Sequence, residues 1–174
     1  MPNLTPAGHA FVAAFSRPPR ERFTLALDLG TKCGWATGNG SQPLLASGTW
    51  DLAPAKQRRF EGAGMKWVRL RKYLDELGPS FVDHVVIEEV RRHLGVDAAH
   101  AYGGALAVVT AWCEQHEVPY SSLAVGTIKK HATGKGNANK EKMMDAATSK
   151  GWTPGDDNEA DAMWILDATI GGAA

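Results

Sequence analysis

A chain of 174 residues with 44% hydrophobic content makes one domain with a proper core. No apolar run approaches the ~18 residues of a membrane span, and the first sixteen residues lack the basic start of a signal peptide, so a cytoplasmic protein is expected. The 19 basic and 19 acidic residues cancel, and Cys33 and Cys113 stand alone without a CxxC, which argues against a zinc site or a disulfide framework.

Residues 1–21, with Pro2, Pro6, Pro18 and Pro19, read as an N-terminal tail, and residues 22–174 as the folded domain. The first predicted strand, Phe23 to Leu29, carries Asp28 near its end, and the chain then turns through Gly30 and Gly34. A carboxylate in a half-buried strand is costly to desolvate unless a cation or hydrogen bonds compensate it. The ordinary alternative is a turn-initiating Asp bonded to nearby amides. A second strand over Gly34 to Thr37 and a third over Leu44 to Leu52 follow through short connections, which predicts an antiparallel meander.

Helical spacing of Phe60, Trp67, Leu70, Leu74 and Leu77 predicts a long helix from Lys56 to Leu77, weakened by Gly62 and Gly64. Lys56 to Lys72 holds seven Lys/Arg against Glu61 alone, either a solvated basic face or a contact to nucleic acid. Val82 to Val90 reads as a buried, parallel strand ending in Glu88-Glu89, with the basic loop Arg91-Arg92-His93 behind it. A helix capped by Asp97 runs to about His116, and Gly103-Gly104 within it predicts close backbone packing. Val118 to Val125 is the fifth strand. Thr127 caps a short helix bearing Lys129 and Lys130, which Gly134-Lys135-Gly136 breaks. Further helices cover Asn139 to Lys150 and Asp157 to Ile170. The element order makes an α/β fold with a mixed five-stranded sheet, three antiparallel strands and then two parallel ones, flanked by helices.

Carboxylates therefore stand at four places: Asp28, Glu88 or Glu89, Asp157 and Asp161. Asp157 and Asp161 share one helix face. If that helix packs beside the first and fourth strands, the acids converge, and like charges so gathered repel unless divalent cations neutralise them. Such a group could hold two Mg²⁺ for in-line hydrolysis of a phosphodiester. The basic flanks, with six Lys between Lys129 and Lys150, suit a phosphate-rich partner.

From Phe23 to Ala168 the chain resembles the RuvC family of Holliday-junction resolvases, within the ribonuclease H-like superfamily. Leu25-Ala26-Leu27-Asp28-Leu29-Gly30 is similar to the family's first acidic motif, and Val86-Ile87-Glu88-Glu89 to its second. The stretch Ile128 to Lys140 is similar to the pattern V-K-x-x-x-x-G-x-G-x-A-x-K, and Asn158-Glu159-Ala160-Asp161-Ala162 matches the closing motif. The resemblance implies Asp28, Glu88 and Asp161 as ligands of two Mg²⁺, with Mn²⁺ as a substitute. It also implies Lys129 and Lys140 as phosphate-facing or catalytic lysines. The third acid of the bacterial enzymes lies three residues before the last, where this chain has Asn158, with Asp157 four before. The third ligand is open between the two. The aromatic expected after the second motif is replaced by Arg91-Arg92-His93.

The implied activity is a Mg²⁺-dependent endonuclease on branched DNA, four-way junctions above all. Lys129, Lys130, Lys135, Lys140, Arg91 and Arg92 are then the backbone contacts, and a homodimer is expected because a junction needs two symmetric cuts. Rival readings are a YqgF-like nuclease, a branched-DNA-binding module without catalysis, and the phosphate loop of actin/hexokinase-type ATPases. The last requires two such domains.

Overall fold

Alternation along the first strand separates two cores. Leu25 and Leu27 point to one face of the sheet and Ala26 to the other. The computed structural model describes residues 23–53, 61–90 and 95–172. Its strands are β1 (Thr24–Asp28), β2 (Lys32–Gly38), β3 (Ala46–Asp51), β4 (His84–Glu89) and β5 (Tyr120–Ala124). They form a mixed sheet in the order β3-β2-β1-β4-β5. The pairs β1–β2 and β2–β3 are antiparallel, and β1–β4 and β4–β5 are parallel.

Helices α1 (Met65–Leu77) and α2 (Val96–Gln115) cover one face. There Leu25, Leu27, Val85 and Ile87 pack with Leu70, Leu74, Val109 and Trp112. The other face is covered by α3 (Val125–Thr133), α4 (Lys140–Ser149) and α5 (Asp157–Ile170), whose Met143, Trp164 and Ile165 pack with Ala26, Ala36 and Val86. Complete burial of a Leu or Ile stabilises by roughly 1.5–3 kcal/mol, and α5 contributes seven buried side chains. It is the central helix of its layer. β4 is buried on both sides at Val85, Val86 and Ile87, which explains why its sequence is a continuous apolar run.

The predicted architecture stands, with local corrections. The helix expected from Lys56 begins at Met65. Residues 61–64 are not helical, since two glycines each cost about 1 kcal/mol in a helix interior. Residues 54–60 lie outside the described part, as do the tail and the loop of Arg91 and Arg92. β3 begins at Ala46 rather than Leu44. β5 begins only after Pro119, which has no N–H for a ladder. The N-cap of α2 is Gly95, with Asp97 in the first turn. Thr127 lies inside α3, because β5 runs straight into that helix at Ala124. Of the two glycines in α2, Gly104 is the one under pressure: a Cβ there would stand 2.3 Å from the Trp67 ring. Among the described residues no helix is long and apolar enough to cross a membrane.

Candidate active site

Sheet register puts the first two acids side by side. In the parallel β1–β4 pair Leu27 lies level with Ile87, so Asp28 comes level with Glu88. The two-residue period sends both toward the face of Ala26 and Val86, under α5. Glu89 points to the opposite face. This resolves which glutamate of the pair belongs with Asp28.

The remaining acids arrive on α5, which crosses the sheet directly above β2. Gly34 pairs with Asp28 in the β1–β2 ladder, and a Cβ on it would stand 1.9 Å from the Asn158 carbonyl oxygen. Gly34 was expected where the turn enters the second strand, as that strand's first residue, and the strand begins two residues earlier, at Lys32. Gly34 lies inside β2, where its missing side chain admits the helix backbone. Asp156 caps α5, its Oδ1 accepting from the Glu159 N–H at 2.9 Å. Asp157 and Asp161 then occupy one face, next to the sheet acids.

These groups act on one another electrostatically. Burial pushes the Asp28 carboxyl up to about 8, helped by Glu88 and Asp161 and opposed by Lys140. Burial likewise raises Glu88 to about 7, with Asp161 adding and Lys129 opposing. Asp161 rises to about 6, again chiefly through burial, with Lys140 and Lys129 pulling it down and Asp157 pushing it up. Asp157 moves the other way, held below the usual carboxylate range by its hydrogen bond from Lys140. That contact in turn raises the Lys140 ammonium, with Asp161 and Asp28 contributing. Two cations and four carboxylates thus form one coupled group.

Other predicted residues fall elsewhere. Lys130 and Lys135 are exposed on and just after α3. The Asn158 amide turns toward Asp157, 3.4 Å from its Oδ1. Three contributors were not read as site residues from the sequence, where Tyr102 stood only in a core stripe and in Tyr102-Gly103-Gly104, similar to the start of the family's central helix. Tyr102 donates its hydroxyl to the Glu88 backbone carbonyl at 2.9 Å, fixing the end of β4. Ser47 and Thr49 donate to the start of α5, at Glu159 and Asp156. Their i, i+2 spacing on a strand was the available signal.

Hard divalent cations take oxygen donors. An all-carboxylate set, with no thiol or imidazole, fits Mg²⁺ or Mn²⁺ in its chemistry. Among the described residues, no group of three or more His, Cys, Asp or Glu side chains is gathered closely enough to hold a metal ion in this arrangement. The acids flank one another, with Lys140 paired to Asp157.

No protein-family model matches the chain, and no curated protein matches it in sequence. Solved structures do. The Thermus thermophilus RuvC in complex with a Holliday junction substrate superposes with a TM-score of 0.70 at 22% identity, covering 87% of this chain and 95% of that one. A second T. thermophilus RuvC structure gives 0.65 at 23% identity, covering 86% and 95%. The yeast mitochondrial Holliday junction resolvase Ydc2 gives 0.60 at 14% identity, covering 91% and 81%. At these identities the likeness is one of fold, and the chain has the RuvC-type, ribonuclease H-like fold.

Proposed function

We propose that this chain is a metal-dependent endonuclease that resolves branched DNA, four-way junctions foremost. The observation that carries the reading is the coupling of Asp28, Glu88, Asp157 and Asp161 with Lys129 and Lys140 at one end of the sheet. A neighbour of the same fold was solved on a Holliday junction, which supports the choice of substrate class.

The residues to hold two Mg²⁺, or Mn²⁺ in their place, are Asp28, Glu88 and Asp161, with Asp157 or Asn158 completing the set. Bound there, the ions would supply the positive charge that makes water a nucleophile at neutral pH and stabilises the leaving 3′-oxygen of a phosphodiester. A water oxygen bonds to phosphorus, the P–O3′ bond breaks, and protons leave the water and reach the 3′-oxygen, giving 5′-phosphate and 3′-hydroxyl ends. Lys129 and Lys140 bring fixed cations to the same place and meet the anionic phosphate. Asp157 holds Lys140 in position. Two symmetric cuts need two sites, so the working assembly is a C₂ homodimer. Its place of action is the cytoplasm, consistent with two buried, unpaired cysteines.

The test is cleavage of a labelled four-way junction, a flap and plain duplex, with and without Mg²⁺, by wild type and Asp28→Asn. Paired symmetric nicks in the junction, lost in the variant while binding persists, are expected. Tight junction binding with no cutting of any substrate would replace the enzyme with a binding module. Equal cutting of flaps would broaden the substrate class.

A further inference from the structure

The acids reach the site by two different routes. Asp28 and Glu88 ride on strands that the β1–β4 ladder fixes in register. Asp157 and Asp161 ride on a helix that no ladder holds. Something else must decide where the first turn of α5 stands.

Across the sheet, Thr49 of β3 pairs with Gly34 of β2, and Gly34 pairs with Asp28 of β1. Thr49, Gly34, Asp28 and Glu88 therefore form one row across four strands. Thr49 donates its hydroxyl to Asp156 Oδ1 at 2.6 Å, the same oxygen that caps the helix through the Glu159 N–H. Two residues along β3, on the same face, Ser47 donates to Glu159 Oε1 at 2.7 Å. Glu159 Oε2 accepts from the Gly155 N–H at 2.7 Å, closing the network onto the preceding turn. Gly34 removes the obstruction beneath the helix, and the two hydroxyls pin its start. Asp157 is the next residue after the pinned cap, and Asp161 lies one turn further.

We propose that Thr49, assisted by Ser47, is a positioning residue that sets Asp157 and Asp161 against the Asp28–Glu88 pair. The inference rests on the nuclease reading above and extends it to an edge strand that carries no ligand. Neither hydroxyl touches the reacting atoms. Each acts through the helix start, as hydrogen-bonded partners behind metal ligands do, where loss typically costs 10–100-fold in metal affinity or activity.

The experiment measures Mn²⁺ binding by spin resonance and calorimetry on the full chain, alongside junction cleavage as a function of Mg²⁺, for wild type, Thr49→Val, Thr49→Ser and Ser47→Ala. Thr49→Val keeps the shape and β-propensity and removes only the donor. It is expected to raise the half-saturating Mn²⁺ and Mg²⁺ concentrations by about 10-fold, with metal-free junction binding unchanged within about two-fold. Thr49→Ser is expected to restore wild-type values, and Ser47→Ala to produce a smaller shift in the same direction. Metal binding equal to wild type in both Thr49→Val and Ser47→Ala would overturn the inference while leaving the nuclease reading intact. So would equal weakening by Thr49→Val and Thr49→Ser, or a change in melting temperature alone. A wild-type protein that binds no Mn²⁺ and cuts no branched DNA would overturn the nuclease reading, and the positioning role with it.

Discussion

Gly34 faces Asp28 across the β1–β2 ladder, and its missing side chain is what allows α5 to lie close enough to add its own acids to that of Asp28. Gly34→Ala would force the helix away from a carbonyl oxygen only 1.9 Å from the new Cβ. Overpacking of this kind costs about 1–3 kcal/mol. The melting temperature should fall by several degrees. Junction cleavage should fall by more than stability explains, since the shift moves Asp157 and Asp161 directly. Both are read from thermal melts and cleavage rates at a temperature well below the variant's melt.

The raised carboxyls make a prediction about pH. Asp28, Glu88 and Asp161 have folded-state values of about 8, 7 and 6 against ordinary values of 3.8, 4.5 and 3.8. The folded state therefore binds more protons than the unfolded chain between about pH 4 and pH 8, so stability declines as pH rises through that window. In EDTA the protein should melt higher at pH 5 than at pH 8. Asp28→Asn should raise the melt at pH 8, by about 2–4 °C for each kcal/mol recovered, and change it little at pH 4. Divalent cation binding near pH 7 should release protons, seen as a buffer-dependent calorimetric enthalpy.

Glu88 and Glu89 are neighbours in sequence and opposites in the sheet. Glu88→Gln should reduce cleavage by about 100-fold or more, since ligands matter at least as much as the groups that orient them. Glu89→Gln should stay within a few-fold of wild type. Equal losses would contradict the register.

The open third ligand is put to the test by a second pair of substitutions. Asp157 couples to Lys140, Asp161 and Asp28, whereas the Asn158 amide turns to Asp157. Asp157→Asn should therefore weaken Mn²⁺ binding more than Asn158→Ala does. The reverse order, by calorimetry, would give the position to Asn158.

Two basic regions could meet the DNA of the proposed reaction, and their ion pairing separates them. On and before α1, Arg69 pairs with Glu61, Arg71 with Asp75 at 3.0 Å and Lys72 with Glu76 at 3.5 Å. Lys66 stands over the Trp67 ring. Lys130 and Lys135 are exposed and make no ion pair among the described residues. Removing both should lower the slope of log affinity against log salt by roughly 2, at about 0.9 per phosphate contact. Removing Arg71 and Lys72 should leave it nearly unchanged. Anisotropy titrations of a junction at several salt concentrations measure both.

Much of this site is legible in the chain because its chemistry is concentrated in local patterns. Asp28 ends an apolar strand, Glu88 ends another, and the i, i+4 spacing of Asp157 and Asp161 needs only helix geometry. What was not legible depends on pairing between distant segments. Gly34 reads as the start of the second strand, and only the position of α5 shows that its missing side chain makes room for a helix. Ser47 and Thr49 look like the solvent side of an edge strand until a helix is laid over them. Tyr102 fits a core stripe, and only the position of β4 gives its hydroxyl the Glu88 carbonyl. The late start of α1 has a local cause, since the cost of Gly62 and Gly64 outweighed an apolar period that continued upstream.

The central place of α5 also orders events during synthesis. Glu88 and Asp161 are 73 residues apart in the chain, about 4–15 s of translation at roughly 5–20 residues per second. Through that interval a growing polypeptide carries the sheet acids without the central helix of the layer that covers their face. It can neither complete the layer over Ala26, Ala36 and Val86 nor bring Asp157 and Asp161 to Asp28 and Glu88. A ribosome-bound fragment that has not released residues 157–170 therefore lacks two of the four clustered acids, and on the nuclease reading proposed above completion of the last helix couples folding to the onset of cutting.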